Sequence, residues 1–332
     1  MKRLPLYSQH IADAHLKCCR DIVKNRLDEL ERQLPCLAQC MFLRRIKKFI
    51  DEEHGFVTDA VNLKGFVQEV EAEWYCHDDP LPEWIMSLNA KLEKIFNYDG
   101  FAKRHGTSSR GGGIPLMKEI LKHVKYCPYC NADMVYTIQL DKNASPYKSA
   151  FDHFFPRSRY PFLALSLYNL LPSCERCNSK FKRDNYTETL ATFHPYLHDV
   201  DDSTRFVLLG ITEEIWNRNL ANNPLSAHLR TTSFAQGEVQ ELLDNYQKLF
   251  HIDDVYNLLY NDQVLRFLQL GKILNKTYLK KVEEWVPDTR MRAETIELLF
   301  DTPLRRSEID RHHLAKLKLD ILEQYCGIEV EP

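Results

Sequence analysis

Two C-x-x-C pairs of identical spacing, Cys127 with Cys130 in "YCPYCN" and Cys174 with Cys177 in "SCERCN", constrain this chain more than any other feature. Each turn can present two thiolates to one ion, and two such turns complete a closed tetrahedral site of the kind zinc fills for structural purposes. Ten cysteines in 332 residues are too sparse for a disulfide scaffold, so in a reducing compartment the pairing points to metal. A four-thiolate site leaves no open coordination position. The zinc expected on Cys127, Cys130, Cys174 and Cys177 therefore braces the fold, and any chemistry must come from other residues.

The chain around this module reads as helical. In "SQHIADAHLKCCRDIVKNRLDELERQL" the residues Ile11, His15, Cys18, Cys19, Ile22, Val23, Leu27 and Leu30 form one stripe, with Ser8 as the expected cap and Pro35 beyond the end. A second helix is expected through "CLAQCMFLRRIKKFI", and others over about 58–76 and 82–97. Cys18, Cys19, Cys36 and Cys40 read as buried apolar cysteines on packed helices rather than as a second metal site. "YDGFAKRHGTSSRGGGIP" then breaks the pattern, with four of the chain's eleven glycines between Gly106 and Gly113. It lacks the spacing of a phosphate cradle, which leaves a plain connector or a hinge carrying Lys103, Arg104 and Arg110. A short helix near Leu116–Val124 leads into the cysteine module, with β-like "MVYTIQL" and the apolar stretch "SAFDHFF". Beyond it come a strand in "TRFVLLG" and helices over about 235–260, 262–284 and 306–325. His194 in "FHPYL" reads as structural.

The formal net charge of -3 argues against a polyanionic partner, but the distribution does not. From Phe101 to Arg183 there are 14 Lys and Arg against 5 Asp and Glu. Positive charge is thus concentrated around the cysteines, where nearby charges set the field in a cleft. A solvated basic face is the plain alternative. The absence of an 18-residue apolar run and of a leader-like N-terminus predicts no membrane span and a cytoplasmic protein.

Between the two cysteine pairs lie Asp152 and His153 at the end of a short apolar strand, and Asn169 in "YNLL". Asn178 follows the last cysteine directly. Taken singly, each has a structural reading: a histidine can fill a core and an asparagine can cap a helix. Their order and spacing resemble the HNH endonucleases, whose ββα-metal (His-Me finger) core is commonly braced by such a pair of zinc knuckles. The match covers about residues 126–184. The resemblance implies an α+β fold, a mostly helical chain with an embedded zinc-braced ββα-metal core. Together with the helical patterns on either side, it gives four expected regions: an N-terminal helical region 1–105, a Gly-rich linker and short helix 106–125, a nuclease core 126–190 and a mainly helical region 191–332. By the same resemblance His153 would be the general base. Asp152 and Asn178 would hold a catalytic Mg2+ or Mn2+, and Asn169 would fix the loop carrying His153 through hydrogen bonds. The third family position is Asn178 rather than His, which favours hard cations. Arg157, Arg159, Lys180, Lys182 and Arg183 are the expected phosphate contacts.

The variants "PRSRYP", "NLLPSC" and "CNSKF" are most similar to HNH nuclease subunits of bacterial anti-phage defence systems of the Septu type. That resemblance implies DNA as substrate and an ATPase partner of the ABC or OLD-like kind, and leaves room for a homodimer. The competing reading is a catalytically silent, zinc-braced nucleic-acid-binding or interaction subunit, which loss of Asp152, His153 or Asn178 would have favoured.

Overall fold

Apolar residues at helical spacing in the first hundred positions become a run of helices. In the computed structural model, which describes residues 2–104, 111–138, 147–185, 191–209, 228–274 and 276–332, the chain is α+β, with two-stranded sheets set among helices. It forms two compact units. One comprises Leu4–His123 and Val135–Leu197, the other Met1–Arg3, Val124–Met134 and His198–Pro332. Among the described residues no helix is long and apolar enough to cross a membrane.

The first unit opens with α1 (Gln9–Gln33), whose stripe from Ile11 to Leu30 is buried apart from the half-buried Ile22. Ser8 occupies the N-cap position without a side-chain cap bond, and the helix ends before Pro35. There follow α2 (Leu37–Asp51), α3 (Ala60–Val70), α4 (Glu83–Phe96), α5 (Tyr98–Ala102) and α6 (Gly113–Ile120). Asp59 caps α3 by accepting from Asn62 N at 2.9 Å. The core between these helices is aromatic. Phe49 and Phe66 stack with centroids 3.8 Å apart, and Phe162 meets Phe66 edge-on at 5.8 Å. Each such ring contributes about 1.5–3 kcal/mol by leaving water.

The glycine-rich segment is not a free connector where it is described. Gly111, at φ +64°, is buried against α1, and a Cβ there would come within 2.6 Å of the Ala14 carbonyl and of Cys18 Cβ. Arg110 lies outside the described residues.

Three short strand pairs complete the picture. β1 (Thr137–Ile138) pairs with β2 (Tyr147–Lys148), so the strand expected in "MVYTIQL" is two residues long within its described part. β3 (Ala150–His153) runs antiparallel to β4 (Leu170–Ser173), with Asp152 opposite Leu171 and His153 opposite Leu170. A π-wound helix, α7 (Arg176–Lys182), follows β4. The segment joining β3 to β4 is tied to the helices at several points. His15 Nε2 bonds the Leu165 carbonyl at 2.7 Å, Ser166 Oγ donates to the Gly55 carbonyl at 2.8 Å, and Tyr75 Oη donates to the Arg159 carbonyl at 2.9 Å. The helices thus act as a frame for the β3–β4 connection.

In the second unit β5 (Thr204–Leu209) pairs with β6 (His228–Ser233) along their whole length. The long helices expected after residue 235 are broken. α8 (Glu238–Phe250) ends at His251, which takes φ +47° and starts α9 (Ile252–Leu259). Next come α10 (Asn261–Ile273), α11 (Lys276–Trp285), α12 (Thr289–Phe300) and α13 (Ala315–Ile321). A buried charge cluster holds this unit. Asp201 accepts from Lys316 Nζ and from Arg306 Nη1, each at 2.8 Å, and both cations also reach Asp320. Burial alone would raise the Asp201 pKa, but the charges of Lys316 and Arg306 outweigh it and hold the carboxyl below its usual range.

Candidate active site and metal centre

The two C-x-x-C turns are built alike at the backbone. Cys127 N donates to the Asp133 carbonyl at 2.8 Å and Asn131 N to the Cys127 carbonyl at 2.8 Å, while Tyr126 bridges Met134 across the turn. In the second turn Asn178 N donates to the Cys174 carbonyl at 3.0 Å, and Cys177 N to Cys174 Sγ at 3.5 Å. The sulfurs of Cys127, Cys130, Cys174 and Cys177 lie within 4.8 Å of one another and all four residues are buried. Four thiolates on one ion at Zn–S distances of about 2.3 Å need that kind of approach, so the cluster can bind a metal ion such as zinc. Cys18, Cys19, Cys36 and Cys40 form no such group among the described residues. The first two are buried as expected, but Cys36 is exposed and Cys40 only half-buried.

The end of β3, the start of α5 and the start and end of α7 border one cleft of about 270 Å³, with Asp152, His153, Asn178, Tyr98, Arg157 and Arg183 in its lining. Thus five expected site residues, Asp152, His153 and Arg157 from one stretch and Asn178 and Arg183 from another, share one cavity. His153 is mostly buried, its ring edge-on to Tyr98 with centroids 4.3 Å apart. His153 Nε2 is 3.1 Å from the Ala164 carbonyl. A carbonyl only accepts, so Nε2 carries the proton and Nδ1 keeps its lone pair. Burial, aided by the charges of Arg157 and Lys182, lowers the imidazole pKa to about 3 against the bond it donates to the Ala164 carbonyl. The ring is therefore neutral at neutral pH.

Asn169 is fully buried and makes three hydrogen bonds to backbone. Its Oδ1 accepts from Phe155 N at 2.7 Å, and its Nδ2 donates to the carbonyls of Phe155 at 3.2 Å and Leu163 at 3.1 Å. It thereby clamps the exit of β3 to the residue preceding Ala164, the partner of His153.

Two of the five residues expected at phosphates are placed otherwise. Arg159 is buried and donates through Nε and Nη2 to the two oxygens of Glu71, at 2.6 and 2.7 Å. Lys182 is buried too, its Nζ 3.1 Å from Asp152 Oδ1 and 2.6 Å from the His153 carbonyl. The reason is desolvation: a cation taken out of water needs a carboxylate partner, and a charge matched in that way has little field left for phosphate. Lys180 and Arg183 are exposed. Arg157 pairs with Asp99 at 3.2 Å in a partly exposed bridge and lies over the Tyr98 ring, a pair weak enough to yield to phosphate.

No motif marks Tyr98 in the sequence; only the break in helical pattern at "YDG" distinguishes its position. His194 is buried against Phe154, with ring centroids 4.0 Å apart, and its Nδ1 accepts from Tyr196 N at 3.2 Å. That is a packing role.

No protein-family model matches the chain, and no solved structure matches it. Among curated proteins it is similar to the Septu protein PtuB of Bacillus thuringiensis, at 33% identity over 101 residues. That stretch is 30% of this chain and 33% of PtuB, so the match spans about a third of each.

Proposed function

We propose that this chain is a metal-dependent HNH endonuclease that hydrolyses DNA phosphodiester bonds, and that it serves in bacterial anti-phage defence beside an ATPase partner. The observation that carries the nuclease reading is the single cleft bordered by Asp152, His153 and Asn178, with the His153 tautomer set by Ala164. The defence role rests on the partial similarity to the Septu protein PtuB, and the ATPase partner on the resemblance of motifs.

Hydrolysis needs a base for the attacking water and compensation for negative charge on the phosphorus oxygens. His153 Nδ1 takes the proton from water, while Nε2–H stays on the Ala164 carbonyl and keeps the ring in register. Asp152 and Asn178 supply the oxygens that would hold Mg2+ or Mn2+, which when bound stabilises charge on the phosphate and leaving oxygen. Arg157, Lys180 and Arg183 position the backbone. Cys127, Cys130, Cys174 and Cys177 would hold a zinc ion, which when bound would brace α7, and with it Asn178.

The test is His153→Ala with plasmid DNA and Mg2+ or Mn2+, in the presence and absence of an ATPase encoded beside it. Cleavage should fall by about 100- to 10,000-fold, with zinc content and DNA affinity retained. Undiminished cleavage, or loss of zinc from the variant, would assign His153 to the scaffold.

A further inference from the structure

The catalytic cleft does not end at α5. Asn97 and Gly100, at and within that short helix, line a second cleft of about 300 Å³ together with Arg26 and Arg104, while Tyr98 faces the catalytic one. The second cleft shares Asp21 and Asn25 with a third, of about 450 Å³, that runs along α1 past Lys17 and Arg20. On the other side, Arg183 and Asp184 carry the catalytic cleft into a fourth of about 560 Å³ beside Lys180. Only α5, about 10–12 Å across with its side chains, separates the first two, which is roughly three base-pair steps at about 3.4 Å each.

The charges along the α1 part are left unmatched. Lys17 and Arg26 are exposed and make no hydrogen bond or ion pair among the described residues. Arg20 donates to a backbone carbonyl, that of Asp51 at 3.3 Å, and Arg104 to Cys18 Sγ at 3.2 Å. Neither partner carries a negative charge. On the neighbouring α2, by contrast, Arg44, Arg45 and Lys47 each meet a carboxylate at 2.5 or 2.6 Å. The α1 grooves thus hold four cations against two carboxylates, Asp13 and Asp21. From Lys17 to Arg26 the helix rises about 14 Å, enough to follow roughly four base-pair steps.

We infer that DNA crossing the catalytic cleft continues over α5 into the α1 groove, where Lys17, Arg20, Arg26 and Arg104 take its phosphates. The inference rests on the nuclease reading and extends the substrate path to a part of the N-terminal helices that no motif marks. These cations add affinity and fix the direction of the strand, and read no sequence.

The test uses the full chain with a labelled 30-bp DNA duplex, titrated in EDTA at several salt concentrations, and the same duplex with Mg2+ to follow cleavage. Lys17→Gln with Arg26→Gln removes two exposed charges that support no part of the fold. Binding should weaken by roughly 10- to 30-fold at 0.15 M salt, and the slope of log affinity against log salt should flatten by about 1.8, at about 0.9 for each phosphate no longer neutralised. The control pair Lys91→Gln with Lys94→Gln, on α4 and outside these clefts, should change neither. Unchanged affinity and slope in the α1 pair, with the parent still binding and cutting, would overturn the path and leave the nuclease reading standing. Groove-dependent binding without any cutting would keep the path and remove the nuclease. A parent that neither binds nor cuts overturns both.

Discussion

Replacing Asn169 by Ala should unmake the β3–β4 connection before it touches any reacting group. The side chain is fully buried, and its three bonds, at 2.7, 3.1 and 3.2 Å, satisfy one backbone N–H and two carbonyls. A net contribution of about 1 kcal/mol per bond gives about 3 kcal/mol for the side chain, more if the groups left behind stay dry. With a urea m-value of about 2 kcal/mol/M, the midpoint of the transition that includes this unit should fall by about 1.5 M. Asn169→Asp separates hydrogen bonding from volume. It keeps the acceptor for Phe155 N but sets an oxygen against the Phe155 and Leu163 carbonyls, so it should be at least as destabilising as Ala. Cleavage should fall in both variants even where they remain folded, because the Ala164 carbonyl that holds the His153 proton follows Leu163 directly. Urea melts of the three proteins decide the matter. A midpoint change under about 0.5 M for Ala, or an Asp variant as stable as the parent, would refute the clamp.

Cys174→Ser should lower zinc in elemental analysis of the purified chain and reduce soluble yield, since structural metal binding is itself folding free energy; full zinc content and yield would contradict the four-thiolate site. Glu71→Gln should cost about 3–5 kcal/mol by taking the carboxylate from the buried Arg159 guanidinium, while Arg159→Leu combined with Glu71→Leu should cost less than either single change, and an additive pair in denaturant melts would argue against their coupling. His15 carries a pH signature: burial lowers its pKa to about 4, against the bond to Leu165, from an ordinary value of 6.5. The unfolded chain therefore binds the proton first as pH falls, so this contribution is intact above pH 6.5 and is lost on the way down to about pH 4, by roughly 3 kcal/mol. His15→Gln, which keeps an N–H for the Leu165 carbonyl, should flatten the stability profile between those limits, and an unchanged slope would mean the ring is not the titrating group.

The α+β character and the clustering of four cysteines were legible in the sequence because both depend on short-range patterns, the helical repeat and a turn of fixed spacing. The fate of individual polar residues was not. Asn131 and Asn178 each follow the last cysteine of a C-x-x-C turn, yet Asn131 is buried at φ +52° with its amide on the Ile309 carbonyl at 2.8 Å, whereas Asn178 borders the cleft. Nothing within either string separates them; the difference lies in what remote chain covers each turn. Lys180 and Lys182 pose the same problem two residues apart, one exposed and one buried on Asp152. The basic run around the cysteines therefore overstated the charge that reaches solvent. His251 shows the converse, a residue of no special pattern whose left-handed backbone divides an expected helix.

The ammonium of Lys182, 3.1 Å from Asp152 Oδ1, bears on the order in which the proposed site would fill. A lone carboxylate would be costly to bury at this position; with its own counterion in the chain, it folds electrically balanced and does not wait for a divalent ion. If the cleft takes a dication as proposed, the ion would meet a carboxylate already buried and would have to share it with, or draw it away from, a resident positive charge. A phosphate entering the same cleft shifts that contest, because its negative charge compensates two neighbouring cations where one carboxylate cannot. On the nuclease reading proposed above, the internal lysine would thus couple occupancy by metal to occupancy by polyanion, so that the cleft would fill with both together more readily than with the ion alone.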